Sequence, residues 1–324
     1  MKRRLLAATA AIALVTLAAC GTSASEDAGS GPWTYTDDRD TTITLDSPPK
    51  RVVAQSSLAA GLNDLGVDVV GVFGPLKRAD GSLDPQAAGL DPDAITDVTA
   101  GGEYGSLDLE KLASLEPDLI VTNMYLPPEL WYINDATAKK AVKLAPILAV
   151  DFQGDSVIES IEDVQELGAK LGADLDSAKV AKGRADFDAA SKRLTDVGAK
   201  LGDREVLVVS GTKDLFYAAD PAQFPDLDYY ESLGLPIIAA KAKAGTYWED
   251  MSWEKSDKYD ADVVMWDSRE GGSTLKQFQD QPVFSTITAA KNDAWVPWEA
   301  VSPASFAAYA KVIDRLADDI EEQL

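Results

Sequence analysis

Between residues 155 and 171 the apolar positions are Val157, Ile161, Val164, Leu167 and Leu171. Their steps of four, three, three and four place them on one face of a helix. Ser156 and Glu159 form a capping box at its start, and Gly172 closes it. The pattern predicts a rod of roughly 24 Å, at 1.5 Å per residue. Shorter apolar runs lie on both sides. A polar turn inside 33–45 predicts a β-hairpin. Strands are predicted at 51–54, 67–72, 118–122 and 147–150, with helices at 58–65, 108–115 and 137–144 between them. Residues 74–106 are rich in Gly, Pro and Asp and read as irregular. Beyond the rod, strands are expected at 205–210, 236–239, 262–266 and 294–296. The helices there are 176–201, 229–233, 254–258 and a closing amphipathic helix at 303–323. Gly183 and Gly198 interrupt the first of these.

Strands alternating with helices on each side of the rod predict two α/β lobes. The expected organisation is a segment at 1–19, a tether at 20–32, an N-terminal lobe at 33–154, a connecting helix at 155–172 and a C-terminal lobe at 173–324. The lobes echo one another. LEKLASLEPDLIV at 109–121 carries Glu110 and Asp118, and WEKSDKYDADVVM at 253–265 carries Glu254 and Asp262 at the same spacing. Tyr104 and Trp248 each lie six residues before the glutamate, and LGVDVVGV at 65–72 matches LGLPIIAA at 233–240. Four matches in the same order point to an internal duplication.

Composition narrows the function. The 324 residues are 46% hydrophobic and 26% charged, as in an ordinary globular protein, with a formal net charge of −24. That charge argues against nucleic acid as a partner. The chain has no histidine, which removes Ser-His-Asp and Cys-His catalysis and histidine-ligated zinc or haem. Its one cysteine, Cys20, excludes an internal disulfide. Lys2, Arg3 and Arg4 precede an apolar run too short to span a bilayer comfortably, which fits a signal peptide. The run ends Leu17-Ala18-Ala19-Cys20, similar to a bacterial lipobox, so lipidation at Cys20 is expected. Removing the three basic residues would take the formal charge from −24 to −27.

TITLDSPPKRVV (42–53), LGVDVVGV, DLEKLASLEPDLIV (108–121), MSWEKSDKYDADVVMW (251–266) and VFSTITAAKNDAWV (283–296) together resemble the solute-binding lipoproteins of ABC importers that take iron-siderophores, cobalamin or haem. The resemblance covers about residues 33–324. It implies two Rossmann-like lobes joined by a single long α-helix, with the ligand in the cleft between them and only a small rocking closure. It implies no enzymatic activity, no resident cofactor and no metal bound directly by the protein. It also implies a monomer held outside the cell membrane by a lipid, delivering an iron chelate to a permease dimer with its ATPase. One exposed glutamate per lobe docks on the permease in such proteins, and the matching positions here are Glu110 and Glu254. Ligand-facing positions carried over in the same way are Tyr104, Tyr125, Trp131 and Tyr132 in the first lobe. In the second they are Lys213, Phe216, Tyr217, Trp248, Arg269 and Trp298.

Charge bears on the ligand. Catecholate and citrate chelates are anionic and need several cations together. Arg269 and Lys213 are the only bases in the predicted cleft loops, so a neutral or cationic ferric trihydroxamate is the expected ligand, with cobalamin or haem as alternatives. Two rivals have a foothold. Ser252/Lys255 and Ser273/Lys276 fit the S-x-x-K pattern of serine-lysine enzymes, but no SDN or KTG follows. The acid-rich stretch 84–97 could hold Ca²⁺ but lacks EF-hand spacing.

Overall fold

The computed structural model describes residues 31–154, 156–243, 245–269 and 271–324. The expected signal peptide, Cys20, the tether up to residue 30 and Asp155 lie outside these residues. The chain begins with a hairpin, β1 (Trp33–Thr36) against β2 (Thr42–Leu45). The first lobe then runs β3 (Val52–Gln55), α1 (Ser56–Asp64), β4 (Val69–Phe73), β5 (Thr96–Asp97), α2 (Leu109–Ser114), β6 (Leu119–Met124), α3 (Asp135–Ala141) and β7 (Ile147–Asp151). Its five strands form one parallel sheet in the order β5-β4-β3-β6-β7. The four longer strands, β3, β4, β6 and β7, are mostly apolar because both faces of the sheet are covered. Val52, Ala54, Leu119 and Val121 face α1, while Val53 and Ile120 face Leu112 of α2 and Ala141 of α3.

Next come α4 (Val157–Lys170) and α5 (Ala178–Leu201). The second lobe follows as β8 (Val206–Gly211), β9 (Phe216–Ala219), α6 (Pro225–Ser232), β10 (Trp248–Met251), β11 (Val263–Asp267), α7 (Gly272–Gln279), α8 (Thr288–Lys291), β12 (Trp295–Trp298) and α9 (Phe306–Glu321). Its sheet order is β10-β9-β8-β11-β12, with β8, β11 and β12 parallel and the β9–β10 edge antiparallel.

The capping box forms as expected. Ser156 Oγ accepts from Glu159 N at 3.3 Å, and Ser156 N donates to Glu159 Oε2 at 2.8 Å. The buried stripe of α4 divides between two cores. Val157 and Ile161 lie in the core of the second lobe, with Phe187, Leu194 and Ile313. Val164 and Leu167 lie in the core of the first, with Leu58, Leu62 and Val121. Each is at most 1% exposed, so each contributes roughly 1.5–3 kcal/mol of apolar burial. The helix is therefore a working part of both lobes, not a bare spacer.

The glycines in α5 mark close packing and do not break the helix. A Cβ on Gly183 would sit 3.1 Å from Ala307 Cβ, and one on Gly198 would sit 3.1 Å from the Gly234 carbonyl. A second seam joins the lobes beside α4. Gly61 of α1 lies so close to the Ala304 carbonyl that a Cβ would come within 2.8 Å. Ser305 Oγ, which caps α9, also bonds Asp64 Oδ2 at 2.5 Å.

The internal echo has a structural counterpart. Asp118, before β6, accepts from Lys50 N at 2.8 Å and Arg51 N at 3.0 Å, at the entrance to β3. Asp262, before β11, accepts from Glu205 N at 3.0 Å, at the entrance to β8. The same acid thus clamps the central strand of each sheet. The expected strand at 236–239 is reduced to a single parallel bridge, Ile237 to Val206. The antiparallel β9–β10 pair occupies the remaining edge of β8, where β4 lies in the first sheet.

Candidate functional site

The carboxyl ends of the strands in the two sheets face one another across a cleft. On the first lobe, β6 ends at Met124 and leads into Tyr125. Trp131 is fixed by two contacts, its N–H to the Asn123 carbonyl at 2.9 Å and Thr122 Oγ1 to its carbonyl at 2.7 Å. Tyr132 adopts a left-handed φ of 57°, and its N–H donates to the Tyr104 hydroxyl at 3.3 Å. Gly105, φ 75°, is required where this loop meets the next, because a Cβ would lie 2.6 Å from Asn134 N. On the second lobe, Phe224 stands at the entrance to α6, Tyr247 and Trp248 open β10, and Arg269 follows β11.

These aromatics form an unbroken chain across the cleft. Ring centroids are 5.0 Å apart for Tyr104–Tyr132, 4.8 Å for Tyr132–Trp131 and 4.7 Å for Trp131–Tyr125. The crossing is Tyr125–Tyr247 at 6.4 Å, where the Tyr247 hydroxyl donates to the Tyr125 carbonyl. The chain continues through Tyr247–Phe224 at 4.8 Å and Phe224–Trp248 at 4.9 Å to Trp248–Trp298 at 6.0 Å. Tyr104, Tyr125, Trp131, Phe224, Tyr247, Trp248 and Arg269 line a cavity of about 270 Å³. Arg269 is shared with an adjoining, more polar cavity lined by Arg78, Asp80, Asp84, Gln86, Tyr132, Ser210 and Asp267.

Arg269 is held but not buried. Its Nε donates to Asp267 Oδ1 at 2.9 Å and its Nη2 to Oδ2 at 2.6 Å, and the side chain is 39% exposed. Asp267 also accepts from Ser210 Oγ at 3.0 Å. This fork fixes the guanidinium plane and leaves its outer edge to a ligand oxygen. Arg78 from the other lobe has a buried Nε with no partner among the described residues. Beneath the aromatic floor, Asp226 accepts from Trp298 Nε1 at 2.7 Å. Burial drives its carboxyl up to about 7, against the lowering effect of that bond. Burial also pushes the Tyr132 phenol up to about 12 and raises those of Tyr125 and Tyr247, so all three are neutral donors at neutral pH.

Not every expected residue reaches the cleft. Tyr104, Tyr125, Trp131, Trp248 and Arg269 come together in the first cavity, and Tyr132 lies in the second. Tyr217 stands behind Trp248, 6.1 Å from its ring. Trp298 is 2% exposed and supports Trp248 from below. Phe216 is fully buried among Trp253, Phe278 and Phe284, because the pleat of β9 turns it inward when Tyr217 turns outward. Lys213 lies apart, in a shallow depression beside Ser273 and Lys276. Sequence reasoning missed Arg78, Phe224 and Tyr247. Tyr247 could have been found as the neighbour of Trp248, and Arg78, beside Lys77, as one of two bases in an otherwise acidic irregular stretch. Glu110 is exposed in the first turn of α2, and Glu254 is exposed in the short 3-10 turn Trp253–Lys255. A backbone N–H and the Ser252 hydroxyl hold the Glu254 carboxyl below its usual value.

Parts of both rival patterns are engaged elsewhere in the structure. Lys276 donates to Asp280 at 2.8 Å. In the acid-rich stretch, Asp84, Asp91 and Asp97 accept the N–H of the second residue after each, at 3.0, 3.0 and 2.8 Å, so they serve as turn-makers. Among the described residues no helix is long and apolar enough to cross a membrane.

Comparison with known proteins agrees with this geometry. The periplasmic binding protein family matches residues 62–299. The crystal structure of DesE, a ferric-siderophore receptor protein from Streptomyces coelicolor, is 33% identical, covers 90% of this chain and 98% of its own, and superposes with a TM-score of 0.80. Two proteins of Bacillus subtilis (strain 168) are also similar. The Fe(3+)-citrate-binding protein YfmC is 22% identical over 94% of this chain and 95% of its own. The iron(3+)-hydroxamate-binding protein FhuD is 25% identical over 87% and 86%. Members of the matched family are extracytoplasmic substrate-binding proteins and not enzymes. With two α/β lobes, one bridging helix and an aromatic cleft between them, the chain belongs to the periplasmic binding protein family.

Proposed function

We propose that the chain captures a ferric siderophore of the hydroxamate type in the interlobe cleft and delivers it to an ABC permease. The observation that carries this reading is the charge of the cleft wall. The lining side chains of its two cavities include Glu129, Asp80, Asp84 and Asp267 against Arg78 and Arg269, and Arg269 is already paired. Such a wall repels a multiply anionic chelate. It suits a neutral or cationic one, whose carbon frame packs on the aromatics and whose oxygens meet the guanidiniums. The neutral phenols support the capture of iron already wrapped by its chelator, since a tyrosinate ligand would need one of these raised pKa values to be overcome. The likeness to DesE supports a ferric siderophore, and the likeness to FhuD supports a hydroxamate.

Trp131 and Trp248 face the cavity, so tryptophan fluorescence reads occupancy directly. A ferrioxamine should quench it saturably, and ferric citrate should require far higher concentrations. Quenching by ferric citrate or cobalamin, with none by any ferric hydroxamate, would overturn the assignment. The protein acts as a monomer held by a lipid on Cys20, and Glu110 and Glu254 are its docking points on the permease. Cys20→Ser should move the protein from the membrane fraction to the medium. Its retention at the membrane would rule out the lipid anchor.

A further inference from the structure

The first lobe carries a local reversal of charge. Lys139 and Lys140 end α3, and Lys143 follows one turn later, all three exposed. The stretch 136–150 contains no acidic residue. None of the three ammonium groups has an ion pair or hydrogen bond among the described residues. Elsewhere lysines on helices are commonly paired, as in Lys182–Asp186, Lys192–Asp196 and Lys276–Asp280. Val142 and Leu144, 54% and 39% exposed, alternate with these lysines. Beside them runs a groove between α3 and the hairpin, lined by Leu45, Val142 and Lys139 and by no acidic residue.

This patch lies close to where the chain enters the fold. Leu45, in the groove wall, pairs directly with Trp33 across the β1–β2 ladder, a spacing of about 5 Å. From Cys20 to Gly31 the chain can span at most about 40 Å. Aliphatic side chains interleaved with unpaired lysines suit a phospholipid interface, where apolar groups enter the acyl boundary and ammonium groups reach the phosphates. The rest of the protein is acidic and is repelled at long range. The contact therefore acts within a Debye length of about 10 Å at 0.1 M salt.

We infer that this end of the first lobe rests on an anionic phospholipid surface, with Lys139, Lys140 and Lys143 on the phosphodiester headgroups and Val142 and Leu144 in the interface. The inference goes beyond cargo capture. It rests on the lipid anchor only for orientation, so the test removes the anchor.

The mature chain with Cys20→Ser is sedimented with vesicles of equal parts phosphatidylglycerol and phosphatidylcholine, and with pure phosphatidylcholine, at 20 mM salt. It should bind the anionic vesicles alone and be released at 0.5 M salt. Changing all three lysines to glutamate should weaken that binding on the order of 100-fold, with an unchanged melting curve and unchanged chelate titration. Lys291→Glu, in the other lobe, should have no effect. Absence of binding to the anionic vesicles, equal binding to neutral ones, or an unaffected triple variant would overturn the inference. A peptide or protein partner for the patch would show itself as the first of these results.

Discussion

Asp226 is the acid whose environment departs furthest from water among the groups beneath the cleft. It is 4% exposed, and its one side-chain donor is Trp298 Nε1. Burial raises its carboxyl from the ordinary 3.8 to about 7. In the unfolded chain the group loses its proton near 3.9, while in the native protein it keeps the proton until about 7. Between those values the native state binds more protons than the unfolded state, so stability must fall as pH rises through the window and level off above it. A gap of about three units corresponds to about 4 kcal/mol. In a chain of this size that is of order 8 °C in Tm. Asp226→Asn removes the titration while its amide oxygen can still accept from Trp298. The variant should match the wild type near pH 4 and exceed it by up to about 4 kcal/mol at pH 8. Urea unfolding followed by far-ultraviolet circular dichroism at pH 4.5, 6 and 8 measures the difference. A difference that does not change with pH, or that favours the wild type more as pH rises, would refute the reasoning. The latter outcome would mean a stabilised carboxylate.

Two further outcomes follow from the interlobe architecture. Gly61→Ala should cost about 1–3 kcal/mol by forcing α1 away from the Ala304 carbonyl; an unchanged urea midpoint would mean that the seam has slack. Glu110→Ala combined with Glu254→Ala should abolish import of the chelate in cells while the purified protein titrates as before, and normal import would remove both residues from the docking role.

Much of the fold was legible because its signals are local. The capping box at Ser156 and Glu159, the apolar parallel strands and the amphipathic closing helix each need only their own residues, and all appear. The echo between the lobes was legible through Asp118 and Asp262, whose shared spacing reflects a shared clamp on the central strand. The β9–β10 edge was not. FYAA has no clear alternation, and its partner WEDM lies some thirty residues away across a loop and a helix. Missing that pairing misplaced Phe216, since only the register of β9 tells which of Phe216 and Tyr217 faces inward. Gly183 and Gly198 look like helix breakers until Ala307 and Gly234 are seen against them. The site was half legible. Trp248 and Arg269, next to strand ends, were found, whereas Arg78 and Phe224 enter the cleft from loops whose paths depend on tertiary packing.

The division of α4 between two cores bears on how the protein comes apart. Unfolding the second lobe alone would strip Val157 and Ile161 of their partners and loosen the turn that holds Val164 and Leu167 in the first. The reverse is equally true. A chain cut on either side of the helix would leave one fragment with a hole in its interior and the other with an apolar stripe in water. Because α4 completes both cores, the unfolding of one lobe is coupled to that of the other. Loss of a proton at Asp226 in one lobe is consequently felt as stability of the whole molecule.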